Sequence, residues 1–240
     1  MRIIECNSVF GSWPKDSRDV SLSALLHALD TLGIERAVCV SLKGVFYDYE
    51  AGNAETLQVC SQHGRLVPAA TLNPRHYHTR ENLPGRFAKA GFRMLRLFPD
   101  LQGWTPHNIL CERILSECAE VGLPVAFPIG KVADLASHLS RIAPPGCRLI
   151  LSNVYYNSLT EAVEVMRRRP DFFMELGHTC VPGSIEYLCR DLGAERFVLG
   201  CNLPLESGRG AIEVVRYADI SESDKQAIFA ENLARLLGGI

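Results

Sequence analysis

Eight apolar, strand-like runs alternating with helix-like segments across 240 residues predict an α/β fold, a single (β/α)8 TIM barrel with an extra C-terminal helix. Two further observations support it. The length suits one such barrel, and no linker or low-complexity stretch divides the chain, so residues 1–240 read as one domain. The loop after the first strand, Asn7-Ser8-Val9-Phe10-Gly11-Ser12-Trp13-Pro14, matches neither the glycine fingerprint of an open dinucleotide-binding sheet nor a phosphate loop.

The elements follow in order. Residues 2–6 read as a strand. Residues 21–32 read as a helix, because Leu22, Leu25, Leu26, Leu29 and Leu32 recur on one face and Gly33 stands as the stop. Strands are predicted at 36–42, 66–72, 92–98, 124–127, 148–152, 172–176 and 196–200. Helices are predicted at 51–62, 108–121, 132–142, 159–169, 184–192, 211–217 and 222–237. Asn73-Pro74 ends the third strand with turn chemistry, and Ser221 caps the last helix.

Composition narrows the function. A formal charge of −2 supplies no field for nucleic acid or an anionic membrane, and no run approaches the roughly 18 apolar residues of a membrane span. The opening residues enter a strand directly, without a signal-peptide pattern, so a cytoplasmic location is expected. The nine cysteines are odd in number, scattered, and contain no CxxC; neither a disulfide framework nor a structural zinc site is expected.

A barrel of this kind places its chemistry at the C-terminal ends of the strands. Arg96 lies within an apolar strand, sharing a face with Met94 and Phe98. A guanidinium there needs either a carboxylate partner, Glu5 or Glu175, or an anionic ligand. Glu175 and His178 follow on the seventh strand and its loop, and His178 suits a general base near neutral pH. His76 and His78 alternate in a loop and could face one ion. Cys201 as a nucleophile needs a base, and His178 belongs to the adjacent unit. Trp13 and Trp104 read as residues of the barrel mouth or of a subunit contact.

Several stretches together resemble one family. They are Glu5-Cys6-Asn7-Ser8-Val9 followed by Gly11, then Leu72-Asn73-Pro74, then Leu95-Arg96-Leu97-Phe98-Pro99. Gly200-Cys201-Asn202-Leu203-Pro204 and Glu231-Asn232-Leu233-Ala234-Arg235-Leu236-Leu237-Gly238 complete the set. In this order they resemble the amidohydrolase-related group of metal-dependent hydrolases, β/α barrels that include aromatic-acid decarboxylases and lactonases. The resemblance implies metal ligands at Asn7, Val9, Pro128, Asn153 and Asn202, where the side chains are amides, an aliphatic group and a proline. Only Glu5 keeps a carboxylate. Such a set binds a divalent transition metal poorly, so no metal or other cofactor is expected.

Three functions remain in view. The first is metal-independent hydrolysis of a lactone- or ester-like bond in a small carboxylate-bearing molecule. Arg96, Asn7, Asn153 and Asn202 would bind substrate, and His178, Glu175 and Glu5 would serve the chemistry. The second is a catalytically inactive barrel that binds a small molecule or a protein partner. The third is an aldolase-like barrel with Lys43 or Lys131 as the imine-forming lysine. Pairing into a homodimer is a further expectation.

Overall fold

The computed structural model describes all residues except 77–80, 131, 133 and 180–182. Eight parallel strands run in sequence order: β1 (Ile4–Phe10), β2 (Arg36–Ser41), β3 (Leu66–Ala70), β4 (Met94–Arg96), β5 (Val125–Pro128), β6 (Leu149–Ser152), β7 (Phe172–Glu175) and β8 (Phe197–Val198). Each pairs with the next, from Ile4 opposite Arg36 on β1 and β2 to Glu175 opposite Val198 on β7 and β8. The ring closes where Cys6 N donates to Leu199 O at 3.1 Å and Val9 N to Leu203 O at 2.9 Å. Eight parallel strands joined by helical crossovers and closed this way are a TIM barrel.

Alternation along the strands divides the core into two layers. Ile4, Val38, Val67, Met94, Ala126 and Ile150 form one buried cluster, into which the C-terminal segment sends Leu233 and Leu236. Residues of the opposite phase, such as Leu66, Leu95, Phe127, Leu149 and Phe172, pack with the helix residues Leu25, Leu29, Ile114 and Leu139 in the other.

The helices are α1 (Leu22–Leu32), α2 (Leu42–Phe46), α3 (Tyr49–Gln62), α4 (Leu83–Ala90), α5 (Pro99–Gln102), α6 (Ile109–Glu120), α7 (Leu135–Ile142), α8 (Tyr156–Arg168), α9 (Ser184–Leu192) and α10 (Arg209–Tyr217). A C-terminal stretch of α11 (Glu222–Gln226), a π-turn (Ala227–Glu231) and α12 (Asn232–Leu236) completes the chain. Among the described residues, no helix is long and apolar enough to cross a membrane.

Several boundaries differ from the sequence reading, each for a local reason. β1 continues to Phe10 because all seven of its residues are buried and a register shift between Glu5 and Ser8 lets it follow β2 further. β4 and β8 shorten to three and two residues, and beyond them Leu97, Phe98 and Asn202 line the cavity. α4 was not anticipated. It is short, and its signals are terminal: the Asn82 side chain accepts from Gly85 N, Pro84 lies in the first turn, and Gly91 closes it at φ 97°. α2 crosses α3 at Gly44 and Gly52, where a Cβ on Gly52 would overlap the Gly44 backbone. The C-terminal helix is interrupted by the π-turn, after which buried Asn232 donates to Ala194 O and Phe197 O, both at 2.8 Å.

Candidate functional site

A cavity of about 190 Å³ opens at the C-terminal ends of the strands, where the fold rule places it. Its polar wall comes from β1 (Asn7), β4 (Arg96), the segment after β4 (Asp100), β6 and the residue after it (Ser152, Asn153) and the residue after the β8 turn (Asn202). Trp13, Leu42, Phe98, Leu101 and Leu205 supply the apolar side. Arg96 and Asp100 are its only ionisable lining groups among the described residues.

Arg96 is 5% exposed. Its guanidinium donates to the Ser8 carbonyl and to Asn7 Oδ1, and lies 5.1 Å from the centre of the Phe98 ring. Burial draws its pKa below the ordinary value, and the charges of Glu5 and Glu175 act against that pull. An arginine starts so high that it stays cationic regardless. Two of its five N–H donors are engaged in these bonds, leaving others for a ligand.

Glu5 and Glu175 are both fully buried, and neither lines the cavity. Glu5 Oε1 accepts from Asn7 N at 2.8 Å and Cys201 N at 2.9 Å, and its Oε2 meets the Ser8 hydroxyl. Glu175 Oε1 accepts from Gly177 N at 2.6 Å, and its Oε2 from Asn153 N at 3.0 Å and Asn7 Nδ2 at 3.3 Å. The two carboxylates therefore tie strand ends together where the ladder stops: β1 to β8, and β7 to β6. Burial raises the Glu5 carboxyl to about 7, against the hydrogen bonds from Ser8 and Cys201, the Arg96 charge and the Asn7 peptide.

Asn7 joins the parts. Its amide oxygen receives Arg96, and its nitrogen donates to Asn153 Oδ1 at 3.2 Å and to Glu175. Asn153 and Asn202 both sit at φ 52°, a left-handed conformation that asparagine tolerates better than most residues. Room for Glu175 comes from Gly177 and Gly200, where a Cβ would overlap its side chain. Gly200→Ala is therefore expected to destabilise the fold by about 1–3 kcal/mol, lowering the melting temperature by about 5 °C. An unchanged thermal unfolding curve would refute the packing of Glu175 described here.

The structure thus gathers the expected ligand-binding residues Arg96, Asn7, Asn153 and Asn202 around one cavity and leaves the expected catalytic residues outside its lining. His178 stands behind the wall: its Nε2 lies 3.0 Å from Glu206 Oε1, which also accepts from Asn202 Nδ2 at 2.9 Å. Its ring packs on Tyr155 at 4.6 Å, and its buried Nδ1 has no hydrogen-bond partner among the described residues. Burial pushes the Cys201 thiol well above the ordinary range, which disfavours a resting thiolate. Lys43 is exposed on α2, His76 is exposed in a short turn, and His78 and Lys131 lie outside the described residues. Trp13 lines the cavity. Trp104 is instead buried in the helix-packed layer, edge-on to Phe127 at 6.1 Å, so it belongs to neither the mouth nor the surface.

Sequence reasoning missed Asp100 and Glu206. Asp100 follows Phe98-Pro99 directly after a strand, so the strand-end rule could have found it. Glu206 is four residues beyond Asn202 in a loop, and no periodicity marks it.

The residues do not fit a divalent metal. The inherited ligand positions hold amides, an aliphatic side chain and a proline, and the Asn7 oxygen that a cation would use already faces the Arg96 charge. Among the described residues, no group of three or more His, Cys, Asp or Glu side chains is placed to hold an ion.

The sequence profile of the family described as Amidohydrolase matches residues 9–239. No curated protein matches the chain. Solved structures of the same fold include an uncharacterised TIM-barrel protein from Bordetella bronchiseptica, 16% identical with a TM-score of 0.77, covering 99% of this chain and 98% of that one. Another is 5-carboxyvanillate decarboxylase from Sphingomonas paucimobilis, 14% identical with a TM-score of 0.75, covering 100% of this chain and 99% of that one. A third is a probable 2-pyrone-4,6-dicarboxylic acid hydrolase from Acinetobacter baumannii with citric acid bound, 13% identical with a TM-score of 0.71, covering 99% of this chain and 100% of that one. With its barrel, its strand-end cavity and a profile match across nearly its whole length, the chain belongs to the amidohydrolase family.

Proposed function

We propose that this barrel binds a small carboxylate-bearing molecule in the strand-end cavity and hydrolyses a lactone- or ester-like bond in it without a metal. The observation that carries the reading is Arg96: a buried guanidinium, the sole cation of the described lining, with donors left over after its two internal bonds. A carboxylate is the ligand group that such a fork pairs with best. Neighbours of the same fold include a decarboxylase of a carboxylated aromatic and a probable hydrolase of a pyrone dicarboxylic acid, which supports the same substrate class.

The amides of Asn7, Asn153 and Asn202 line the cavity as hydrogen-bonding groups for the substrate; both N–H groups of Asn7 are taken by Asn153 and Glu175, so Asn153 and Asn202 are the donors for the oxyanion that forms when water adds to an acyl carbon. In this reading His178, oriented by Glu206, is the base behind the Asn202 wall, and Glu5 and Glu175 hold the strand ends in place. Binding without turnover is the second reading. It is favoured by the full engagement of both buried carboxylates with peptide N–H groups and by the position of His178 outside the lining.

The test uses the full chain after exhaustive chelation. Small aromatic and aliphatic acids, their neutral amides, and lactones bearing a free carboxylate are compared by thermal shift and by hydrolysis. Selective stabilisation by the acids, with lactone opening that persists after chelation, is expected. Stabilisation by amides as strong as by acids would overturn the carboxylate site. Stabilisation without lactone opening would select the second reading.

A further inference from the structure

Outside the cavity, one pair of reactive side chains is held together. Cys39, fully buried on β2, and Cys60, half-buried on the last turn of α3, bring their sulfurs to 3.6 Å. This is the only sulfur–sulfur contact among the described cysteines. The two elements are fixed to each other beside it: the Ser41 hydroxyl donates to Glu55 Oε2 at 2.6 Å, and Ser41 N donates to Thr56 Oγ1 at 3.0 Å. Strand and helix therefore hold the thiols at a set separation instead of leaving them to chance encounter.

We propose that Cys39 and Cys60 form an oxidative modification site, a dithiol that a hydroperoxide closes to a reversible disulfide. The accessible thiol reacts first. Cys60 sulfur, as thiolate, attacks the outer peroxide oxygen; the O–O bond breaks, an alcohol or water leaves, and Cys60 becomes a sulfenic acid. Cys39 sulfur then attacks Cys60 sulfur, the S–S bond forms, and the hydroxide leaves with the Cys39 proton as water. Overall, two thiols and one hydroperoxide give one disulfide, one alcohol or water from the peroxide, and one further water.

The order follows from the environment. Contact with Cys60 and burial both push the Cys39 thiol well above its ordinary range, which disfavours its thiolate, so the half-buried Cys60 is the thiol that meets the peroxide and Cys39 follows because its sulfur is held 3.6 Å away. The surrounding protein has little to rearrange, since the cross-link would join elements already bonded at Ser41. Leu42, next to Ser41, lines the cavity, so the link would form at the root of one cavity wall. The site is independent of what the cavity binds.

The experiment treats the full chain with hydrogen peroxide, traps remaining thiols with N-ethylmaleimide in denaturant, and maps peptides without reduction. The expected result is one dominant linked product joining the Cys39 and Cys60 peptides with the loss of two hydrogens. It should revert with dithiothreitol and be absent from Cys60→Ser. Recovery of both cysteines as maleimide adducts would overturn the proposal. So would Cys60 oxidised to sulfinic acid while Cys39 stays free, or a dominant link between any other pair. The map of the unmodified chain decides the matter even if the serine variant folds poorly.

Discussion

Arg96→Met is expected to weaken binding of a carboxylate-bearing ligand by about 100-fold, because it removes charge-assisted hydrogen bonds worth about 1.5–3 kcal/mol while keeping most of the side-chain volume. The same change removes the cation that faces the two buried carboxylates, Glu5 and Glu175. Leaving the buried Ser8 carbonyl and Asn7 Oδ1 without their donor costs about 1–3 kcal/mol, so the variant should also unfold at lower denaturant. Arg96→Lys separates the two effects: it keeps the charge and loses the planar fork. Calorimetric titration of the free acid and urea unfolding of all three proteins check this. Equal affinity for the acid in wild type and methionine variant would remove the basis of the proposed function.

The second large effect is a pH dependence of stability carried by Glu5. In the folded protein its carboxyl titrates at about 7, against 4.5 for an ordinary one, because burial penalises the charge. The folded state thus holds a proton that the unfolded chain releases at lower pH. Stability is fully present below about 4.5 and declines as pH rises through 7. The gap corresponds to about 3 kcal/mol. Glu5→Gln keeps the shape and cannot titrate. Its amide oxygen can accept from the peptides of Asn7 and Cys201, and its nitrogen can donate to the Ser8 hydroxyl. Urea unfolding from pH 4.5 to 8 should show the wild type losing about 3 kcal/mol more than Glu5→Gln. Other titrating groups are common to both proteins and cancel. Parallel pH profiles would show that Glu5 does not bear the burial penalty.

Both predictions turn on residues visible in the sequence as strand-end polar groups, and the barrel itself was legible there for a physical reason. Short apolar strands and helices with a strict leucine stripe, as in α1, announce themselves by period alone. α4 escaped because only Leu83, Pro84 and Phe87 are buried, too few to set a period, while its cap residues Asn82 and Gly91 were plain. The cavity wall was half legible. The strand-end rule found Arg96, Asn153 and Asn202, which end or follow β4, β6 and β8, and it found Asn7 because the sequence ends the first strand at residue 6, although β1 runs on past it to Phe10. It could not show that Glu5 and Glu175 accept peptide N–H groups, because Cys201 N lies 196 residues from its acceptor and Asn153 N lies 22 from its own. Nor could it pair His178 with Glu206, a loop contact without spacing rules.

The bond from Cys201 N to Glu5 also bears on how the ring assembles. Its partners lie 196 residues apart, so the seam cannot fasten until Cys201 has been made, and the entropy of closing that loop must be met at that moment. Until then Glu5 has only its neighbours Asn7 and Ser8 as donors, and β1 only β2 beside it. A polypeptide emerging from the ribosome would carry that open edge until this segment arrives, and closing it draws a proton onto the acid as burial raises its carboxyl from 4.5 to about 7.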